Sequence, residues 1–200
     1  MRLLGLDKDC FPNWWAKLPE GSIMVVQPKI DGCAIGLRYK YGQLVDAYSR
    51  ENTEIIENIR AVNTIPLSID DSLKAEVELE GVLFSPTFNS KSSKEQLLSD
   101  LNHETDSGPT LLFLAFQIFC SNSDELSDLT QLQNWGFEVP ITLRTDDPRQ
   151  VKRWHSQWIK KELFSNFPTN GIVAKCNSSS TKDSLGVSSS SPNWALALTR

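Results

Sequence analysis

From Ile23 the apolar and polar positions fall into short runs. IMVVQPKI, CAIGLRY and YGQLVDAYS read as successive strands, with Gly42 marking a tight hairpin turn. Their short connections make them antiparallel neighbours. NTEIIENIRAVNTIP predicts a short helix capped by Asn52 or Thr53, with Ile55, Ile56 and Ile59 facing inward and Pro66 ending the segment. KAEVELEGVLF alternates acid and apolar through Leu79, the pattern of a half-exposed strand. LLFLAFQIF is apolar almost throughout and predicts a strand buried on both faces.

Two helices with clearer signatures follow. Asn122 with Glu125 has a capping-box spacing, Leu126, Leu129 and Leu132 share a face, and Gly136 closes the segment. The second helix starts at Asp147 with Pro148 in first position and Gln150 completing a box. Its stripe is Val151, Trp154, Trp158, Ile159 and Glu162 or Leu163, and both tryptophans read as core. Before Ile23, Phe11, Trp14 and Trp15 form an N-terminal arm (residues 1–22) whose aromatics pack on the body. Residues 87–110 are polar and read as a surface excursion, with one helical turn suggested at Leu97, Leu98 and Leu101. The serine-rich stretch Ser178–Ser191 reads as a mobile loop before a terminal WALALTR. Antiparallel strands with interposed helices and no internal repeat make the fold class α+β.

Composition narrows the setting. The 200 residues make one large domain or two small ones. A net charge of −5 does not favour a charge-driven DNA clamp, although it permits a local basic cleft. Cys10, Cys33, Cys120 and Cys176 are scattered, with neither zinc spacing nor a disulfide framework. His103 and His155 have no ligand-spaced partners, so no metal site is read from them. No apolar stretch approaches membrane-spanning length and the N-terminus is not a signal peptide, so a reducing, cytoplasmic setting is expected.

The candidate chemistry centres on Gln27–Gly32, QPKIDG, between two strands. Taken alone, a lysine here is either a buried nucleophile or part of a solvated hairpin. Asp31 follows Lys29 by two, the side-chain period of a strand, and Gly32 permits close backbone approach or positive φ. Two further stretches go with it: VELEGVLFSP, and PTNGIVAKCN running to SSSSPNWALAL.

Together the three stretches resemble the adenylation domain of NAD-dependent DNA ligases, covalent nucleotidyltransferases. That family carries, in order, Lys-x-Asp-Gly, an arginine after a hairpin, Arg-Gly-Glu, Asp-Gly-Val-Val-x-Lys and Trp-Ala-x-Ala-x-Lys. The resemblance covers roughly residues 23–200, read as one adenylation domain, and fails from about 87 to 110. It implies a nucleotidyltransferase fold (the ATP-grasp-like fold of DNA ligases and mRNA capping enzymes) of antiparallel sheets flanked by helices. It also implies a lysyl-AMP intermediate for nick joining in DNA repair or replication.

By the resemblance, Lys29 would bond to AMP, Asp31 would orient it, and Lys175 would be the neighbouring cation that lowers its pKa and contacts phosphate. Gln27, Gly32, Arg50 and Gly171 would bind the nucleotide. NAD, or ATP, would donate AMP with Mg²⁺, and nicked DNA would be the partner substrate, gripped with the help of another protein. No metal-ligand set is assigned.

The departures are specific. Gln27 stands where the family has glutamate, Val82 replaces the glutamate of Arg-Gly-Glu, Asn170 replaces an aspartate, and Thr199 replaces the last lysine. The tyrosine, histidine and aspartate signature of the nicotinamide subdomain has no counterpart in residues 1–22. No OB-fold, zinc finger, helix-hairpin-helix or BRCT region is expected after the last motif. Two other readings accommodate these losses: a non-catalytic nucleotide- or nucleic-acid-binding module, and an ATP-dependent RNA-end ligase.

Overall fold

The structure, a computed structural model, describes residues 3, 5–6, 10–50, 55–70, 75–86, 111–189 and 191–200. Asn52, Thr53, the leucines at 97, 98 and 101, and His103 lie outside the described residues. In chain order the elements begin α1 (Phe11–Trp15), β1 (Met24–Ile30), β2 (Cys33–Lys40), β3 (Gln43–Ser49), α2 (Ile56–Ile59), β4 (Glu76–Phe84) and β5 (Leu112–Ile118). Then come α3 (Glu125–Asn134), β6 (Leu143–Thr145), α4 (Pro148–Ile159), β7 (Thr169–Cys176), α5 (Ser179–Leu185) and β8 (Ala195–Leu198). The chain divides into two compact units. The first is Met1–Leu3, Asp31–Ser121 and Asp128–Val139; the second is Leu4–Ile30, Asn122–Ser127 and Pro140–Arg200.

The first unit holds an antiparallel sheet in the order β3-β2-β4-β5. The β2–β3 hairpin turns on Tyr41 and Gly42, at φ +47° and +77°. Two consecutive positive φ values suit the right-handed strand twist. Ile35, Leu37 and Tyr39 alternate onto one face with Leu79 and Leu83 of β4 and Phe113 of β5, all fully buried. Tyr39 donates its hydroxyl to the Pro66 carbonyl at 2.6 Å and meets Phe137 edge-on at 6.1 Å. The strand expected to be buried on both faces, β5, is so only over Phe113–Ala115. It is the sheet's edge strand, and Leu112 and Phe116–Ile118 stay half-exposed. In α2 the N-cap is Ile55, with no side-chain cap bond, while Ile56 and Ile59 are buried as expected.

The second unit holds the antiparallel sheet β6-β1-β7-β8. On one face Met24 and Val26 of β1 and Ile172, Ala174 and Cys176 of β7 join Phe11, Trp14, Val151 and Trp158 in a single apolar cluster. The N-terminal aromatics therefore reach the core through a short helix, α1. Trp158 donates its indole N–H to Thr169 Oγ1 at 2.8 Å, so its burial leaves no orphan donor. Pro28 is tolerated in β1 because β6 pairs only with Met24–Val26, leaving the strand's later half without a neighbour on that side.

Three local expectations are corrected. First, α3 begins at Glu125, and Asn122 lies outside it. The first amides instead donate to Asn177, Glu125 to its carbonyl at 2.9 Å and Leu126 to its side chain at 3.1 Å. The far end closes as expected: Gly136, at φ +90°, donates to Gln133 and Phe137 donates to Leu132. Second, α4 is capped by Asp147, which accepts from the Arg149 amide at 2.9 Å, but Gln150 accepts from Arg153 and does not complete a box. Its stripe also ends early, since Ile159 is exposed and Leu163 packs from beyond the helix end. Third, the serine-rich stretch is not a loop throughout: Ser179–Leu185 is the helix α5. Serine composition concealed a cap, because the Ser178 hydroxyl accepts from the Thr181 amide at 3.3 Å.

Candidate functional site

In the second unit, pairing of β1 with β7 sets Met24 opposite Cys176, Val25 opposite Lys175 and Gln27 opposite Val173. Residues directly opposite share a sheet face, so Gln27 and Lys29 lie with Val25, Val173 and Lys175, away from the apolar cluster. The register slips between Pro28 and Ile30, a bulge that brings Asn170 to Lys29. Lys29 Nζ donates to Asn170 Oδ1 at 2.5 Å. The residue that departs from the family's aspartate is thus the one that engages the candidate nucleophile, with a neutral oxygen in place of a carboxylate.

Lys175 lies opposite Val25, on the same sheet face as Lys29 and four residues from it, about 13 Å along the strand. Its ammonium, almost wholly buried, donates to Glu125 Oε1 at 2.6 Å. Lys182 of α5 reaches the other oxygen of the same carboxylate at 2.5 Å and stands 4.9 Å from the Trp194 ring centroid. Burial pushes the Glu125 carboxyl upward, but the charges and hydrogen bonds of Lys175 and Lys182 outweigh it and hold the group below its usual range. In the sequence Glu125 reads as a capping-box residue and Lys182 sits in a run of serines, so neither marks a charge cluster there. Long-range pairing of β1 with β7 and the placing of α5 bring the three together.

Gln27, 2% exposed, donates its Nε2 to Thr142 Oγ1 at 3.1 Å, and Thr142 in turn donates to the Pro140 carbonyl at 2.8 Å. Gly171 has a packing reason of its own: a Cβ there would meet the Leu198 carbonyl oxygen at 2.6 Å. His155 stacks on Trp158 with ring centroids 5.7 Å apart, and its Nε2 is 3.0 Å from the Thr199 carbonyl oxygen. Arg200 also approaches the Trp158 ring.

In the first unit, Asp31 is half-buried, Gly32 buried, and Arg50 exposed just past the end of β3. Gly32 lies against β4, where a Cβ would press on the Leu83 carbonyl oxygen and come within 2.9 Å of Val82 Cγ2. Gly36 faces Tyr48 on one side and Glu80 on the other, and a Cβ on it would lie 2.5 Å from the Tyr48 ring. Glu80 is buried and shares a face with Val82, two residues away. The family's carboxylate is missing at Val82, but the chain keeps one on that face, shifted by one pleat. The alternation of KAEVELE carries that parity and could have revealed it. Tyr48 Oη is buried with no hydrogen-bond partner among the described residues. Burial, aided by Glu78 and Glu80, pushes its phenol well above the ordinary range.

Among the described residues no three His, Cys, Asp or Glu side chains gather to hold a metal. A protein-built cage is therefore not on offer there. Mg²⁺ needs less, since it commonly binds through one or two carboxylates and the substrate's phosphates. No helix among the described residues is long and apolar enough to cross a membrane.

Comparison with known proteins extends the resemblance: it begins within the N-terminal arm and runs through residues 87–107, where it was expected to fail. The model of the NAD-dependent DNA ligase adenylation domain matches residues 13–107 and 111–199. The DNA ligase of Mycoplasma genitalium is 29% identical over 196 residues, covering 86% of this chain and 29% of the relative. That of Gluconobacter oxydans is 26% identical over 223 residues, covering 98% and 32%. The chain thus spans about three-tenths of the length of these curated relatives. Among solved structures, an archaeal ATP-dependent RNA ligase superposes with a TM-score of 0.65 at 12% identity, covering 99% of this chain and 48% of that one. The ATP-dependent DNA ligase of bacteriophage T7, in complex with ATP, gives 0.50 at 11%, covering 84% and 61%. At such identities the structural likeness establishes the nucleotidyltransferase fold of these ligases.

Proposed function

This chain belongs to the family of NAD-dependent DNA ligase adenylation domains, and from that premise we propose that it accepts AMP from NAD on Lys29 as the opening step of nick joining in DNA repair or replication. Lys29 Nζ attacks the α-phosphorus of the dinucleotide. The N–P bond forms, the P–O bond of the pyrophosphate breaks, and nicotinamide mononucleotide leaves. The observation that carries the reading is the position of Lys29, on one face of β1 with Gln27 and at a bulge where its ammonium meets the Asn170 side chain.

In this reading Gln27 meets the adenine edge, Gly32 and Gly171 line the backbone side, and Arg50 contacts ribose and phosphate. Asp31 orients the lysine, and Lys175 offsets phosphate charge. Mg²⁺, bound with the donor's phosphates, supplies charge neutralisation, and Asp31 is the carboxylate that would hold it. Nicked DNA is the acceptor substrate. With a net charge of −5, the grip on DNA is helped by a partner protein. The setting is the cytoplasm.

The test is covalent labelling. With Mg²⁺ and adenylate-labelled NAD the protein takes up label, and Lys29→Ala abolishes it. Run beside labelled ATP, the assay also identifies the donor. Absence of label from both donors overturns the reading.

A further inference from the structure

We propose that Thr142 is a specificity-positioning residue: it locks the side-chain amide of Gln27 so that the nucleotide site presents a hydrogen-bond acceptor to the base and selects a 6-amino purine over a 6-oxo purine. The inference rests on the nucleotide-binding reading above and adds the device that fixes base choice.

The argument turns on one proton. A threonine hydroxyl has a single hydrogen to donate and lone pairs with which to accept. Thr142 Oγ1 lies 2.8 Å from the Pro140 carbonyl oxygen, an atom that accepts and never donates. The hydroxyl hydrogen is committed there, so toward Gln27 the same oxygen can only accept. Gln27 must then turn its NH₂ group to Thr142, as its Nε2 does at 3.1 Å. The other half of the amide, Oε1, is left as the acceptor that Gln27 offers. Gln27 as a whole is 2% exposed.

The chemical consequence is directional. Adenine carries an exocyclic amine at C6, two donors that suit an acceptor. Hypoxanthine and guanine carry a carbonyl there, which would face Oε1 lone pair to lone pair. A free glutamine amide could rotate to serve either base, whereas one held by Thr142 cannot. The lock also relieves the chain of any need for a glutamate at this position, since a carboxylate is an acceptor at both oxygens without being held.

The test is equilibrium binding of AMP and IMP to the wild type, Thr142→Ser and Thr142→Val, run beside the labelling assay. The readout is the ratio of the two affinities, which general damage to the fold would leave unchanged. The wild type is expected to prefer AMP by roughly a hundredfold. Thr142→Val, isosteric but without the hydroxyl, is expected to cut that ratio about tenfold. Thr142→Ser keeps it. A ratio unchanged in Thr142→Val, or no preference in the wild type, overturns the inference, and retained labelling would then leave the proposed function standing. A wild type that neither binds these nucleotides nor takes up label overturns both.

Discussion

Glu125→Gln probes the buried charge cluster, because it keeps side-chain volume while removing the one negative charge between two lysines and turning one of their two acceptor oxygens into a donor NH₂. In the native chain both carboxylate oxygens are engaged, at 2.6 Å by Lys175 and 2.5 Å by Lys182, and the Glu125 and Lys175 side chains are only 3% and 6% exposed. At an effective dielectric of about 20, each contact is an attraction of roughly 6 kcal/mol. Desolvating three ions costs several kcal/mol apiece, and the two ammoniums repel each other, so most of that attraction is already offset. What the substitution exposes is the penalty of leaving buried ammoniums uncompensated, about 3–5 kcal/mol for one broken pair. For a chain of this size that is a fall in Tm of roughly 6–20 °C.

The effect has a pH signature. Because the folded-state pKa of Glu125 is depressed, its contribution is fully present above the unfolded value, near 4.5, and fades as pH falls through the folded value. Urea unfolding followed by tryptophan fluorescence should therefore show a large gap between wild type and Glu125→Gln at pH 7, closing in acid. Glu125→Leu combined with Lys175→Met and Lys182→Met should recover most of the lost stability, since an apolar cluster of similar volume has no charge to compensate. A loss below about 1 kcal/mol at pH 7, the range of exposed pairs, would refute the reasoning. So would a gap that does not change between pH 7 and acid.

Further outcomes follow from the same geometry. Gly171→Ala should destabilise the β7–β8 pairing by about 1–3 kcal/mol, because its Cβ would be driven against the Leu198 carbonyl oxygen at 2.6 Å; chemical denaturation measures this. Ser178→Ala removes the cap of α5 and should cost about 0.5–2 kcal/mol, with amide exchange rising across Ser179–Leu185 while β1 and β7 keep their protection.

The strands around QPKIDG were legible in the sequence because alternation and turn chemistry are local. IMVVQPKI, CAIGLRY and YGQLVDAYS each carry their own period, and Gly42 supplies the positive φ that their hairpin needs. The caps were legible by half. Asp147 and Gly136 behave as their spacing says, since each acts within a few residues of itself. Asn122 with Glu125 has equally good spacing and fails, because Asn177, more than fifty residues on, takes the helix amides and two lysines take the carboxylate.

Returning to the candidate site, the sequence alone determined that Lys29 belongs to a strand with Gln27 on the same face, since the side-chain period of a strand allows nothing else. It also carried the order of motifs that places the chain in its family. Only the tertiary structure decided what those side chains meet. The bulge that delivers Asn170 to Lys29, the register that sets Lys175 opposite Val25, and the hydroxyl that orients Gln27 all come from residues more than a hundred positions away along the chain. Side-chain direction is a property of the local backbone, but a partner across a sheet is chosen by register, and register is set by the packing of the whole unit.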